Sequence, residues 1–286
     1  MLGPTDLVLC SGTLLGSSLR DLVRAASAGG FQGISLWARD YRDARAQGLS
    51  DADIRALLGD HGLRVAEVDP LACWLPGSEP GPETPPLAAD LYRLREDDYY
   101  ALAESVGARS INVVEIFGTR EPAERIAEAF AGVCDRAAGH GLIAHLEFLP
   151  WSGIPDLETA AAIVGAADRP NAGVTLDTWH FSRSQSQLST LAKLPGHQVG
   201  AVQLSDAPAT PAATDLPTES IEARLLPGDG DAGLREIVRV LDQIGSKAPI
   251  GVEVFSAGLR ELPAQEVGRR AGEAARAVLA AARHEP

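Results

Sequence analysis

The 286-residue chain is 45% hydrophobic and 22% charged, enough apolar material for a packed core and too evenly mixed for a disordered or membrane-embedded protein. Its 25 Lys and Arg against 39 Asp and Glu leave a formal charge of -14, which repels phosphate backbones and anionic lipid surfaces, so neither nucleic acid nor a membrane is expected as a partner. Three widely spaced cysteines, Cys10, Cys73 and Cys134, form no CxxC pair, and the opening residues lack a basic and apolar leader; a reducing, cytoplasmic setting is expected.

In chain order, eight short runs rich in β-branched residues predict strands: 6–10, 31–37, 64–69, 110–116, 142–148, 172–177, 199–204 and 250–255. Longer stretches rich in Ala, Leu and Arg predict helices near 17–28, 50–60, 90–106, 122–139, 156–167, 184–193, 231–244 and 264–283. About 36 residues per strand-helix unit is the size expected for a (β/α)8 TIM barrel with insertions, whereas a doubly wound sheet more often stops at five or six strands. The expectation is an α/β protein with residues 1–286 forming one barrel domain.

The string HGL occurs at 61–63 and again at 140–142, each time between a helix and a strand, where Gly62 and Gly141 suit a left-handed helix end. Residues 70–89, with six prolines, and 205–230 read as long loops over one face of the barrel, because helices resume after each with unchanged composition.

Side chains on barrel strands alternate inward and outward, and reactive groups gather where the strands finish. The fifth strand ends HLEF and places His145 and Glu147 on the inward parity; the sixth ends in Asp177; the seventh carries Gln203 among apolar neighbours; and Glu253 sits between two valines on the eighth. One acid at a strand end is ordinarily a solvated rim residue. Three in one narrow mouth, with an amide beside them, repel one another unless they share protons or a cation. A divalent metal held by Glu147, Asp177, Gln203 and Glu253 is therefore expected, and this oxygen set favours Mg²⁺, Mn²⁺ or Co²⁺ over Zn²⁺.

His180 lies three residues beyond Asp177, on the turn leaving the sixth strand, and is read as a ligand for a substrate oxygen or for water at the metal. Arg224, in a long loop over an acidic mouth, suits an oxygen-rich substrate. Trp37 and Trp151 at strand ends offer aromatic walls for the apolar face of a sugar ring or carbocycle; Trp74 and Trp179 fall nearby, with packing an equal reading for Trp179. His145 reads equally as support for the site or as a satisfied core histidine, and Glu115 and Asp206 as structural caps. The PGDGD segment lacks the strand and GK[ST] of a phosphate loop.

These residues resemble the xylose isomerase-like TIM barrel superfamily of sugar phosphate isomerases and epimerases. The resemblance covers nearly the whole chain and is carried by Glu147, the Asp177-Thr-Trp-His180 block, Gln203-Leu-Ser-Asp206, Arg224 before Pro227-Gly228-Asp229-Gly230, and Glu253. It implies one divalent metal on the four strand-end groups, substrate contacts from His180 and Arg224, and Glu147 and Glu253 as the acid/base pair. Two departures matter. Gln203 stands where the family usually has histidine, as in some 3-dehydroshikimate dehydratases of the superfamily, and the segment after Glu147 lacks a further acidic residue carried by ketose 3-epimerases.

The implied chemistry is proton removal beside a carbonyl through a metal-stabilised cis-enediolate. Its outcome is isomerisation or epimerisation of a sugar or polyol-derived ketone. The alternatives are a dehydratase of the 3-dehydroshikimate or inosose type, and a barrel that binds without turnover. The expected partner is a small carbohydrate-like molecule, with homo-oligomerisation left open along with the substrate's identity and phosphorylation.

Overall fold

The computed structural model describes residues 2–119 and 121–284. Eight parallel strands close on themselves in sequence order: β1 (Leu7–Leu9), β2 (Gly33–Trp37), β3 (Arg64–Leu71), β4 (Ser110–Val114), β5 (Ile143–Glu147), β6 (Ala172–Asp177), β7 (Val199–Leu204) and β8 (Ile250–Val252), with β8 pairing back onto β1. Both faces of these strands are covered, so they read as near-continuous apolar runs.

The surrounding helices are α1 (Leu19–Ala28), α2 (Ala38–Ala46), α3 (Asp51–Asp60), α4 (Pro86–Leu91), α5 (Glu96–Val106), α6 (Ala123–Gly139), α7 (Leu157–Ala167), α8 (Thr178–Arg183), α9 (Leu188–Leu191), α10 (Leu216–Glu222), α11 (Leu234–Gln243), α12 (Ala257–Arg260) and α13 (Ala264–His284). Local chemistry explains many boundaries. Ser18 caps α1, Ser50 and Asp53 form a reciprocal capping box on α3, and Asp156 caps α7, each accepting a backbone N–H that the first turn leaves unpaired. Gly62 and Gly141 take φ of +66° and +70°, as the paired HGL junctions predict.

The differences from the sequence reading have physical reasons. Helix α2 was not foreseen, because it buries only Ala38 and Ala44 and so carries almost no apolar periodicity. The single helix expected at 90–106 is two, since Arg95 caps a new start at Glu96. The helix expected at 184–193 shrinks to α9, because α8 begins directly at Asp177 and takes the preceding residues; His180 therefore lies on a short helix, not on a turn. The loops at 70–89 and 205–230 each contain one short helix, α4 and α10. Strand β8 ends at Val252, which leaves Glu253 as the first residue beyond it.

Beneath the mouth, the barrel interior is polar. His145 is fully buried, with Nδ1 2.6 Å from Thr175 Oγ1, and Nε2 3.0 Å from Ser110 Oγ and 3.3 Å from Glu67 Oε2. Burial, followed by the charge of Arg109, lowers the His145 pKa to about 3, so the ring is neutral. The ring is satisfied within the interior and also touches Asn112 Oδ1, 3.3 Å from Nδ1, so both readings of this histidine stand.

Asp40 supplies a pH test of this fold. Its carboxylate accepts from Ser11 Oγ behind β1, and burial raises its pKa from 3.8 to about 6. The folded state thus holds this proton more tightly than the unfolded chain, and the resulting stability is present below pH 4 and lost as pH rises through 6. Asp40→Asn keeps an acceptor for Ser11 and is expected to stabilise the protein at pH 7 to 8 by up to about 3 kcal/mol, with little effect near pH 4. Urea denaturation at both pH values measures this; equal shifts at the two would contradict it.

Candidate active site

The predicted residues converge at the C-terminal end of the barrel. A cavity of about 110 Å³ there is lined by Trp37, Glu147, Trp151, His180, Arg224 and Glu253, together with Asp69, Leu149, Ser220 and Phe255. Asp177 and Gln203, both fully buried, do not line it; Asp177 touches its lining residues Arg224 and His180. Asp177 and Gln203 are direct register partners, whereas Glu147 pairs with Thr175 and Gln203 with Gly251. The carboxylates thus do not share one row of the sheet, and the stagger of a tilted barrel brings them into the same mouth.

Asp177 explains the block that follows it. Its Oδ1 accepts from the backbone N–H groups of Trp179 (2.7 Å) and His180 (3.0 Å), which turns the chain directly from β6 into α8. His180 then points back over the mouth, with Nε2 3.5 Å from Glu147 Oε1 and 3.9 Å from Asp177 Oδ2. One ligand atom from each of Glu147, Asp177 and His180 lies within 4.8 Å of the others. The short helix therefore brings His180 into the acidic group itself.

Arg224 follows α10 and is buried, with its guanidinium committed on all sides. Nη1 donates to Asp177 Oδ2 (2.6 Å) and lies 3.7 Å from Glu253 Oε2, Nη2 donates to Ser220 Oγ (2.9 Å), and Nε donates to Ser220 O (2.8 Å). Nη2 also faces His180 Nε2 at 3.3 Å, which makes that nitrogen the acceptor and puts the ring proton on Nδ1. Burial lowers the His180 pKa to about 3, with Arg224 adding to the effect, and the ring is neutral.

The carboxylates differ sharply in charge preference. Burial opposes ionisation of Asp177, but Arg224, His180 and the α8 amides outweigh it and hold its carboxyl below the usual range. Burial pushes Glu147 well upward, reinforced by the charges of Asp177 and Asp69; Glu253 is pushed well upward by burial and then by Asp69. Glu147 and Glu253 therefore favour the protonated form unless a cation joins them.

Asp69 and Asn112 belong to the site but went unnoticed in sequence. Asp69 accepts from Trp37 Nε1 (3.0 Å) and Asn112 Nδ2 (2.9 Å), and burial raises it to about 6. The same Asn112 nitrogen donates to Glu147 Oε2 at 2.6 Å, while its Oδ1 accepts from Thr175 Oγ1 at 2.8 Å. Thr175 thereby sets the amide and the amide sets Glu147, leaving Oε1 toward the mouth. The available signal was position: Asp69 ends the foreseen part of β3 as Asp177 ends β6, and Asn112 is a polar residue inside the apolar run SINVV.

The aromatic residues divide in two. Trp37 and Trp151 line the mouth, Trp37 packing on Phe255 and Trp151 on His180 with centroids 5.9 and 5.4 Å apart. Trp74 packs on Phe130 and donates to Val114 O, and Trp179 is wholly buried, so both serve the core. Glu115, which accepts from Ser78, Phe117 and Gly153, and Asp206, which accepts from Ala207, Gly228 and Ala232, tie loops together as expected.

A divalent ion fits the residues present. Both polar atoms of the Gln203 side chain are buried without a hydrogen bond of normal geometry, although the amide lies close enough to Glu67 to act on its carboxyl, and Gln203 sits directly beside Asp177 on the sheet. An orphaned buried amide is costly, and coordination through Oε1 would satisfy its oxygen. Of the expected ligands, Glu147 and Asp177 are brought together with His180, their ligand atoms within 4.8 Å of one another, whereas Glu253 is not in that group.

Comparisons with known proteins agree with this architecture. The chain is 28% identical over 254 residues to a 3-dehydroshikimate dehydratase of Pseudomonas aeruginosa, covering 87% of this chain but only 38% of that relative. It is 24% identical over 279 residues to an inosose isomerase of Bacillus velezensis, covering 93% and 94% of the two chains. Among solved structures, the IolI protein with a bound zinc atom superposes with a TM-score of 0.83 at 20% identity, over 96% of this chain and 98% of that one. Among the described residues, no helix is long and apolar enough to cross a membrane. With the xylose isomerase-like TIM barrel model matching residues 23–280, the chain belongs to that family.

Proposed function

We propose that the protein is a divalent-metal-dependent isomerase or epimerase acting on an uncharged polyhydroxylated ketone of the sugar or cyclic-polyol class. The observation that carries this reading is the charge balance of the mouth. Four buried carboxylates, Asp69, Glu147, Asp177 and Glu253, face one guanidinium, Arg224, and that guanidinium is already hydrogen-bonded to Asp177. Among the described residues, no Lys and no second Arg lines the cavity. The site has room for a cation, and little to hold a carboxylate or phosphate on its substrate.

Glu147, Asp177, Gln203 and Glu253 would hold the ion, with Mg²⁺, Mn²⁺ or Co²⁺ suited to their oxygens. When bound, it would polarise a substrate carbonyl and the neighbouring hydroxyl, acidifying the hydrogen on the adjacent carbon. The protein's own groups move the proton. Glu147, oriented by Asn112, and Glu253, on the eighth strand's end, supply two carboxylates; one takes the proton from carbon as the enediolate forms and the other returns it to the neighbouring carbon or the opposite face. Neutral His180 contacts a substrate oxygen, Arg224 holds Asp177 and His180 in place, and Trp37, Trp151 and Phe255 wall off water around the ring. The similarity to an inosose isomerase over nearly the full length of both chains supports a cyclic polyol ketone.

A dehydratase is the second reading, favoured by Gln203 in place of the family's usual histidine and by the similarity to 3-dehydroshikimate dehydratases. There the same carbanion would expel a β-hydroxyl instead of being reprotonated. NMR in deuterated water with Mn²⁺-, Mg²⁺- or Co²⁺-loaded protein distinguishes the two. An inosose is expected to yield an isomer with deuterium at the reacting carbon. A product lighter by one water, formed from 3-dehydroshikimate and not from neutral ketones, would replace the isomerase reading with the second. No exchange with any of them would overturn both.

A further inference from the structure

The opposite end of the barrel holds a second cavity, of about 600 Å³, between the starts of β3, β4 and β5 and the ends of α3 and α5. Its volume lies in the range of small-molecule sites. The walls are apolar, with Leu58, Val65 and Ile143 among them, and they carry three cations, Arg55, Arg64 and Arg109, with no Asp or Glu among the described lining residues. In a chain with 39 acidic and 25 basic residues, three guanidiniums around one cavity without a carboxylate is a marked local reversal of charge.

Helix packing does not account for all three. Arg55 donates to Ser105 O (2.7 Å) near the end of α5, an ordinary use of a cation at a helix C-terminus. Arg109 instead donates from its side chain to Gly200 O (3.0 Å) on β7, its one side-chain hydrogen bond among the described residues; the Arg64 guanidinium makes no hydrogen bond or ion pair among them, its backbone N–H alone donating to Gln32 O. The two helix ends contribute about half a negative charge each, well short of three positive charges. Arg109 is half-buried, and burial lowers its pKa. An anion entering from the cavity would relieve that cost.

We infer that this cavity is a second ligand site, remote from the proposed active site, for a small organic carboxylate with an apolar ring, held by Arg64 and Arg109 over the aliphatic floor. The apolar lining selects such an acid over inorganic phosphate.

Benzoate titrated calorimetrically into the full chain is expected to fill one site with a Kd of about 1 mM or tighter, with benzyl alcohol and inorganic phosphate each at least about fivefold weaker. Arg64 is exposed, so Arg64→Gln removes a charge without disturbing the core; this variant and Arg109→Gln should each weaken benzoate at least about fivefold. Trp151→Ala, at the other end of the barrel, should bind benzoate unchanged. Crystals soaked with para-bromobenzoate should show the bromine between Leu58 and Ile143. The inference is overturned by absence of saturation up to about 20 mM, by equal binding of benzyl alcohol or phosphate, or by a loss in Trp151→Ala with Arg64→Gln unaffected.

Discussion

Replacing Glu147 or Glu253 by Gln is expected to reduce turnover at least about 10³-fold while leaving the barrel folded. Each change keeps the side chain's size and removes its charge and its capacity to carry a proton. The fold should tolerate both, because these carboxyls are buried and pushed well above their usual range, so a neutral amide removes an ionisation that burial opposes. In Glu147→Gln, the amide oxygen can still accept from Asn112 Nδ2. Metal content by elemental analysis should fall in both variants, since one oxygen of the donor set becomes neutral. A variant that is folded, as judged by near-ultraviolet dichroism, and retains wild-type turnover would remove that residue from the acid/base pair. Asn112→Leu should act through Glu147 and lower the rate about tenfold to a hundredfold, the range expected for the support of a metal ligand.

The second large effect lies far from the mouth, where α1 crosses α13. A Cβ on Gly268 would sit 2.1 Å from the carbonyl oxygen of Ala25, one on Gly272 would sit 2.3 Å from Gly29 O, and one on Gly29 would sit 2.2 Å from Gly268 O. These are backbone contacts, and neither helix can yield by rotating a side chain. Gly268→Ala gains about 1 kcal/mol of helix propensity but must push two helices apart, which costs about 1–3 kcal/mol or more. The net expectation is destabilisation, and Gly268→Val should be worse. Gly165, in the last turn of α7, is the control: a Cβ there meets nothing within 4 Å, so Gly165→Ala should stabilise by up to about 1 kcal/mol. Denaturant midpoints for the two alanine variants should therefore move in opposite directions. A shift of the same sign in both would show that propensity, not the close crossing, decides this interface.

Much of the molecule was legible because its information is local. Short apolar runs enriched in β-branched residues mark buried strands, and paired HGL junctions mark helix ends, so eight strand-helix units and a closed barrel follow from local pattern alone. The inward parity of His145 and Glu147, and the position of Asp177 at the end of β6, placed the acidic groups at one end before any coordinates. Helix α2 lay beyond this reasoning, since only two alanines face the core.

The sequence by itself determined the barrel, its strand order and the end at which the acids gather, since these follow from hydrophobic period and chain direction. Tertiary structure alone decided which groups touch. The stagger of the closed sheet brings Glu147 beside Asn112 and lets Asp69, from a strand whose ending gave no motif, shift the protonation of Glu147 and Glu253. Arg224 reads in sequence as a loop cation for an oxygen-rich substrate, and the structure commits it to Asp177 and Ser220, because α10 folds its loop down into the mouth. Contacts across 47 residues, as between Asp177 and Arg224, leave no trace in local periodicity; they arise only when the sheet closes and low dielectric makes each pairing energetically decisive.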